Sequence, residues 1–140
     1  MEVVNLRPKL VSFRATSFRG ENKAASSGQE PWNMELTQTI EVGLGTAQSG
    51  PVPLQAVIKI DLIAKASKAN AADQVAEFSA SYEAKFDYPA AATESEILPQ
   101  FQQEPYQYVL VAQAFPLAMT HFRREMQSMG FDARSMPLGM

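Results

Sequence analysis

The chain is 140 residues long, 46% of its residues are apolar, 19% are charged, and its net charge at pH 7 is −3. A disordered chain would combine low hydrophobicity with high net charge, so this composition excludes that class and predicts one globular domain over residues 1–140. The longest unbroken apolar run, residues 108–112, is far shorter than the roughly 20 residues that cross a bilayer. We therefore expect no membrane insertion.

Residue types that are absent or rare exclude several kinds of chemistry. The chain has no cysteine, which excludes disulfides, thiolate metal sites and cysteine nucleophiles. This suits a reducing compartment, and residues 1–7 lack a secretory signal, so we expect a cytoplasmic protein. The single histidine, His121, gives too few nitrogen ligands for a histidine zinc site, and we expect no cofactor. Lys and Arg form no dense cluster, so nucleic acid is not an expected partner.

Alternation of apolar and polar residues predicts four strands in the first two thirds of the chain. These strands cover residues 9–19, 34–44, 52–64 and 77–88. In the first strand Val11, Phe13 and Ala15 share one face, and Phe18 breaks this parity, which predicts a β-bulge. Short connections predict an antiparallel meander for the later strands. The longer polar segment after the first strand allows that strand to join the sheet by a different route.

The spacing of apolar residues changes after the fourth strand. Residues 89–103 are predicted as a loop. Apolar residues then recur at spacings of three and four, which predicts a helix that starts near Pro105 and stops before Gly130. Pro116 lies inside this helix and is expected to kink or split it. The expected fold class is α+β, a four-stranded antiparallel sheet followed by a long, proline-kinked C-terminal helix.

The candidate enzyme motifs lack residues or surroundings that their chemistry requires. Residues 45–51 have the glycine spacing of a phosphate-binding loop, but proline stands where that loop needs lysine. His121 and Glu125 are four residues apart on the predicted helix and can meet, but one such pair is neither a metal site nor a triad. Glu94 and Glu96 fall in a predicted loop, where nothing indicates the burial that raises the pKa of a catalytic acid. We therefore do not expect an enzyme.

Apolar residues of an adaptable kind are concentrated in the predicted helix and its exit. They are Phe115, Met119, Phe122, Met126, Met129 and Met136. Methionine is flexible and polarizable, and surfaces that accept varied partners use it often. The stripe fits a core packed on the sheet. It also fits an oligomer surface or a groove for an apolar ligand, because one helix can carry more apolar surface than the sheet covers.

Several segments, taken in order, resemble the SecB-type protein-export chaperones. The segments are residues 31–36 (PWNMEL), 82–86 (YEAKF), 115–118 (FPLA), 129–131 (MGF) and 136–138 (MPL). The order of four strands before a long helix, and the proline inside that helix, are also similar to this family. The resemblance covers roughly residues 10–138. The chain resembles a shortened relative, because longer members continue with a second helix and an acidic tail.

The resemblance implies an ATP-independent holdase, a tetramer built as a dimer of dimers, that holds unfolded polypeptides in apolar grooves during protein transport. On this basis we expect seven client-binding residues. They are Trp32, Leu36, Phe86, Tyr106, Leu110, Phe115 and Phe122. We expect an oligomer interface at Met119, Met126 and Met129.

The motor protein SecA is the partner to which the family delivers precursors, and it docks on acidic residues of the first and fourth strands. Here the first strand carries Arg14 and Arg19, and the fourth offers Glu77 and Glu83. Two readings besides export therefore stay open. One is a client-specific chaperone, such as one that guards an antitoxin, and the other is an interaction protein for one folded partner. A small-ligand-binding domain ranks third and an enzyme last.

Overall fold

Four long strands form one antiparallel sheet in the computed structural model. The residues that it describes are 7–23, 32–46, 54–68 and 74–131. The strands are β1 (Lys9–Asn22), β2 (Trp32–Thr46), β3 (Leu54–Lys68) and β4 (Gln74–Asp87). Their order across the sheet is β1-β4-β3-β2, so β2, β3 and β4 form a meander and β1 joins beside β4. The predicted sheet and the separate route of the first strand are confirmed.

Strand β1 is irregular where it pairs with β4. Its register shifts once after Leu10 and again after Ala15. The second shift is the bulge that Phe18 predicts, because an extra residue restores apolar side chains to the inner face. The first shift was not expected, and it brings Leu10 and Phe13 to the same side, where both pack against the core. Val11, predicted on that side, is instead 54% exposed.

The core lies between one face of the sheet and two helices, α1 (Glu94–Phe101) and α2 (Glu104–Ser128). Alternate residues of the two central strands point into it, as period-2 alternation requires. The buried strand residues include Ala56, Ile58, Ile60, Leu62 and Ala64 of β3, and Phe78, Ala80, Tyr82, Ala84 and Phe86 of β4. Helix α2 packs against β1, β3 and β4. None of the helices in the described ranges is long and apolar enough to span a membrane.

Helix α2 ends where the glycine predicts. Gly130 has a positive φ of 82°. Its N–H donates to the carbonyl oxygen of Gln127 at 3.0 Å, and the N–H of Phe131 donates to the carbonyl oxygen of Met126 at 3.0 Å. This pair of bonds is the Schellman motif, which satisfies the last carbonyls of a helix. The helix runs without interruption through Pro116, so the predicted split does not occur.

Helix α1 corrects the predicted loop after β4. Its N-cap is Thr93, and Glu96 follows three residues later, which is the sequence signature of a capping box. Thr93 Oγ1 donates to Glu96 Oε1 at 2.7 Å. Ile97 and Phe101, four residues apart, are the buried residues of this helix. Pro99 lies inside the segment, and proline disfavours a helix interior, so helix propensity alone does not predict α1. The residues of the capping signature are the feature of the sequence that indicates it.

The end of α2 packs closely over Gly20 of β1. A Cβ atom at this position would lie 2.8 Å from Cδ1 of Phe78, whose ring is buried, and would overlap Sδ of Met129. We expect Gly20→Ala to lower the free energy of unfolding by about 1–3 kcal/mol, measured by urea denaturation. The matched control is Gly43→Ala, since a Cβ there has no atom within 4 Å. A control variant as unstable as Gly20→Ala would contradict this account.

Candidate functional site

An apolar groove lies between β2 and the first turns of α2. Its volume is about 450 Å³. The lining residues are Ile40 and Val42 from β2, and Glu104, Pro105, Gln107, Tyr108 and Val111 from α2. Most of this lining is apolar, with one carboxylate at the start of the helix. Such a groove suits a ligand that buries aliphatic or aromatic groups.

The groove exists because α2 leaves β2 incompletely covered. The inward-facing residues of the neighbouring strand β3 are buried. The corresponding apolar residues of β2, here called the β2 stripe, are only half-buried against the core. They are Met34, Leu36, Ile40, Val42 and Leu44. An edge strand with an apolar and partly uncovered face is a surface that a partner can cover.

Helix α2 also exposes apolar side chains on the face away from the core. Val109 is 57% exposed and Leu117 is 42% exposed, and we call these two residues the α2 outer patch. Tyr108, which lines the groove, is 53% exposed. None of the three was predicted as a site residue. The signal that was available is the apolar run at residues 108–112, since five consecutive apolar residues on a helix cannot all face one side.

Four of the seven predicted client-binding residues lie inside the chain. Phe86, Leu110, Phe115 and Phe122 are at most 2% exposed. They are inward positions of β4 and α2, and the sheet and helix cover each other there. A client cannot reach these side chains in this structure, so we place them in the core rather than on a binding surface.

The other three predicted client-binding residues belong to β2 and α2, the two elements that form the groove. Leu36 belongs to the β2 stripe. Tyr106 is half-buried in the first turn of α2, and its hydroxyl contacts that of Tyr88. Trp32 begins β2, and its side chain lies outside the described part of the structure. Leu36 and Tyr106 are therefore partly accessible but are not among the residues that line the groove, and their contact with a client stays a prediction.

The predicted oligomer interface also falls largely in the core. Met119 and Met126 are fully buried between α2 and the sheet. Met129 is half-buried, and its side chain approaches Gly20. Met119 and Met126 fill space inside the chain, and their side chains are not available to a second copy. Met136, the remaining methionine of the stripe, lies outside the described residues.

His121 links α2 to the sheet. The Tyr82 hydroxyl lies 2.8 Å from Nδ1 of His121, and Nε2 of the same ring lies 3.6 Å from Oε1 of Glu125. Burial, and then the nearby carboxylate of Glu125, raise the pKa of Tyr82 above its usual value. The Tyr82 hydroxyl therefore stays protonated at neutral pH, and the direction of its hydrogen bond with His121 is set by the ring tautomer. The predicted meeting of His121 and Glu125 is confirmed, and its geometry is that of a packing contact.

The remaining polar side chains in the described part of the chain form no second candidate site. Glu94 and Glu96 lie in the first turn of α1 and are exposed, which corrects their loop assignment. Within the described ranges no group of three or more His, Asp or Glu side chains could hold a metal ion. The groove is therefore the candidate functional site, and what it can do chemically is to bind an apolar ligand.

The strand order and the long helix together define the fold. A four-stranded antiparallel sheet in the order β1-β4-β3-β2, followed by a long helix across one face, is the SecB-like α+β fold. The resemblance drawn from the sequence is thus confirmed at the level of the fold.

A solved structure with this fold is that of the Mycobacterium tuberculosis Rv1957 SecB-like chaperone in complex with a ChAD peptide from the Rv1956 HigA1 antitoxin. The two chains superpose with a TM-score of 0.60 and 14% sequence identity, over 89% of this chain and 85% of the other. No protein-family model matches the chain, and no curated protein matches it either.

Two buried tyrosines make stability sensitive to alkaline pH. Burial is the main cause that raises the pKa of Tyr82 and of Tyr88 above the ordinary value of 10.0. Above that pH the unfolded chain loses protons that the folded chain keeps, so the free energy of unfolding falls as pH rises. We expect Tyr82→Phe to flatten this fall in urea denaturation measured at successive alkaline pH values. Tyr108→Phe, at an exposed position, serves as control, and an equal flattening there would refute the assignment.

Proposed function

We propose that this chain is a SecB-like chaperone that binds non-native polypeptide segments, without ATP, in the groove between β2 and α2. The observation that carries the proposal is the groove of about 450 Å³, lined mainly by apolar side chains of an incompletely covered edge strand and helix. A holdase needs such an adaptable apolar surface and needs no catalytic group. Burial of client side chains there would contribute about 25 cal/mol per Å².

The complex formed by the structural neighbour supports a polypeptide as the occupant. That SecB-like chaperone is bound to a peptide of an antitoxin. The present chain shares its fold and offers a groove of a size that accommodates several side chains. A polypeptide client is therefore a better-supported ligand than a small molecule.

An ion pair on the outer face of the sheet favours a role that does not involve SecA. Nη2 of Arg14 lies 3.2 Å from Oε1 of Glu83, and Nζ of Lys85 lies 3.8 Å from the same oxygen. Glu83 is one of the carboxylates that the family resemblance offers to SecA, and two cations offset its charge. We therefore propose a client-specific chaperone, such as one for an antitoxin, rather than an export chaperone.

The α2 outer patch supports assembly of the chain with copies of itself. Val109 and Leu117, eight residues apart, expose apolar area on one side of the helix. Isologous contacts between such faces are a common way to build symmetric oligomers. We propose that this patch, in place of the buried methionines, forms a homo-oligomer interface. The tetramer implied by the family resemblance is the assembly that we expect.

A substitution in the groove should weaken client binding without unfolding the chain. We expect Tyr108→Ser to raise the Kd for a labelled, chemically unfolded and slow-folding client roughly tenfold, because the aromatic ring no longer covers apolar client surface. Fluorescence anisotropy measures this Kd, and circular dichroism checks the fold.

The matched control for that measurement is Val11→Ser. Val11 is 54% exposed and Tyr108 is 53% exposed, so the two side chains are equally accessible. Val11, however, lies on β1, at the opposite edge of the sheet from the groove. We expect the Kd of the Val11→Ser variant for the same client to equal the Kd of the unsubstituted protein. Equal losses for both variants would contradict the groove as the site. A protein that ignores every unfolded client would favour the dedicated interaction protein instead.

An acidic substitution in the α2 outer patch should disrupt assembly. We expect Val109→Asp to reduce the mass measured by light scattering on a size-exclusion column, because a charge would have to be buried in the interface. Val11→Asp places the same charge on a similarly exposed residue and should leave the mass unchanged. A single-chain mass for the unsubstituted protein would refute the oligomer proposal.

A further inference from the structure

Methionine carries all the sulfur chemistry of this chain. The sequence has seven methionines and no cysteine. Hydroperoxides oxidise a methionine thioether to a sulfoxide, and reductase enzymes reverse the change. The sulfoxide is polar where the thioether is apolar, so oxidation disrupts the packing around the side chain. A methionine that is both accessible and part of a structural contact therefore makes a fold sensitive to oxidants.

Burial divides the methionines of the described ranges into two pairs. Met119 and Met126 are fully buried in the core. Met34 and Met129 are half-buried, so solvent reaches part of each side chain. Met34 belongs to the β2 stripe, which is incompletely covered, and a polar atom added there can turn toward solvent. Met129 is the accessible methionine whose oxidation has a structural consequence.

Met129 lies where the end of α2 is held against β1. It is the C-cap residue of the helix, and its carbonyl oxygen accepts a hydrogen bond from Nδ2 of Asn22 at 3.0 Å. Its sulfur atom covers Gly20 so closely that a carbon atom added to Gly20 would overlap it. Beside Gly20 the rings of Phe78 and Phe131 pack with their centroids 5.7 Å apart. The backbone and the side chain of one residue thus both take part in this attachment.

We propose that Met129 is a site of reversible oxidation by hydroperoxides, and that its sulfoxide loosens the end of α2 from β1. With hydrogen peroxide, a lone pair of the sulfur attacks one peroxide oxygen, an S–O bond forms and the O–O bond breaks. The proton of the transferred oxygen passes to the departing hydroxide, which leaves as water. The sulfur loses two electrons and the peroxide gains them. This inference goes beyond the proposed function and does not depend on it.

The contact at Gly20 has no room for the product. An oxygen atom on the sulfur does not fit between Met129 and Gly20, where a single carbon atom already overlaps. A polar S=O group is also costly to keep in an apolar contact. The oxidised side chain therefore turns toward solvent and uncovers Phe78 and Phe131. The groove lies at the other end of α2 and keeps its lining residues.

Peptide mapping by mass spectrometry tests the site, with hydrogen peroxide as the probe on the full chain. Trypsin cleaves after Arg124 and Arg134, so Met126 and Met129 fall in one peptide, residues 125–134. The buried Met126 is then an internal reference. We expect Met129 to gain an oxygen roughly tenfold faster than Met126, because only Met129 is accessible in the folded chain. Equal rates for the two residues would overturn the assignment.

Thermal unfolding and amide hydrogen exchange test the consequence. We expect oxidation to lower the Tm by roughly 5 °C. Amides in the last turn of α2 should exchange roughly tenfold faster, a larger change than in its first turns. An apolar dye should bind more strongly, because aromatic rings are uncovered. Treatment with a methionine sulfoxide reductase should reverse all three changes. An oxidised Met129 with unchanged Tm and exchange rates would contradict the loosening.

The matched control is Met129→Leu, because leucine has a similar volume and no sulfur. We expect this variant to keep the Tm of the unsubstituted protein, both before and after peroxide. The other methionines remain in it, so an equal loss of Tm on oxidation would assign the effect to them and overturn the proposal. Met34→Leu should lose as much as the unsubstituted protein. Met129→Gln, which places a polar group at the same position, should lower the Tm without peroxide.

One measurement needs no variant. In partly oxidised protein, amide exchange detected by mass separates oxidised from unoxidised molecules in the same sample. Faster exchange at the end of α2 only in molecules oxidised at Met129 supports the proposal. The same exchange in both populations would overturn it, even if Met129→Leu failed to fold.

Discussion

The long helix α2 and the short helix α1 have to cover one face of a four-stranded sheet, and this shortage of cover determines where the chain is stable and where it is open. A helix with its side chains is about 10 Å across, while four strands at about 4.8 Å spacing are wider than that. Helix α2 crosses the sheet: its first turns lie beside β2 and its end lies over β1. The two central strands are therefore buried, and β2 is only half-covered.

The C-terminal part of the helix is held over β1 by several contacts. Asn22 of β1 donates from Nδ2 to the carbonyl oxygen of Met129 at 3.0 Å, and Phe18 packs edge-on against Phe122 with ring centroids 6.1 Å apart. The absence of a side chain at Gly20 permits this close approach. These contacts hold the helix over β1 and leave its first turns as the only cover that α2 gives to β2 within the described residues. The groove is thus a consequence of where the helix is anchored.

The sequence predicted those features that depend on local periodicity. Alternation of apolar and polar residues predicted the buried face of β3 and β4. The parity break at Phe18 predicted the bulge in β1, and Gly130 predicted the end of α2. It did not predict which apolar residues stay exposed. Phe115 and Phe122 recur at regular helical spacing, and regular spacing marks the face that the sheet covers. The exposure of Tyr108 depends on how far the helix extends over an edge strand, which is a property of the tertiary structure.

Energetics favour the groove over the buried aromatic residues as the place where the proposed client would bind. Exposing a core phenylalanine to a client requires α2 to leave the sheet, and each large side chain that loses its packing costs about 3–5 kcal/mol. Phe86, Phe115 and Phe122 are packed together, so several such costs would add. The side chains of the β2 stripe are already half exposed, and covering them gains apolar burial without that cost. A chaperone that must capture and release its client therefore gains more from an incompletely covered edge than from a core that opens.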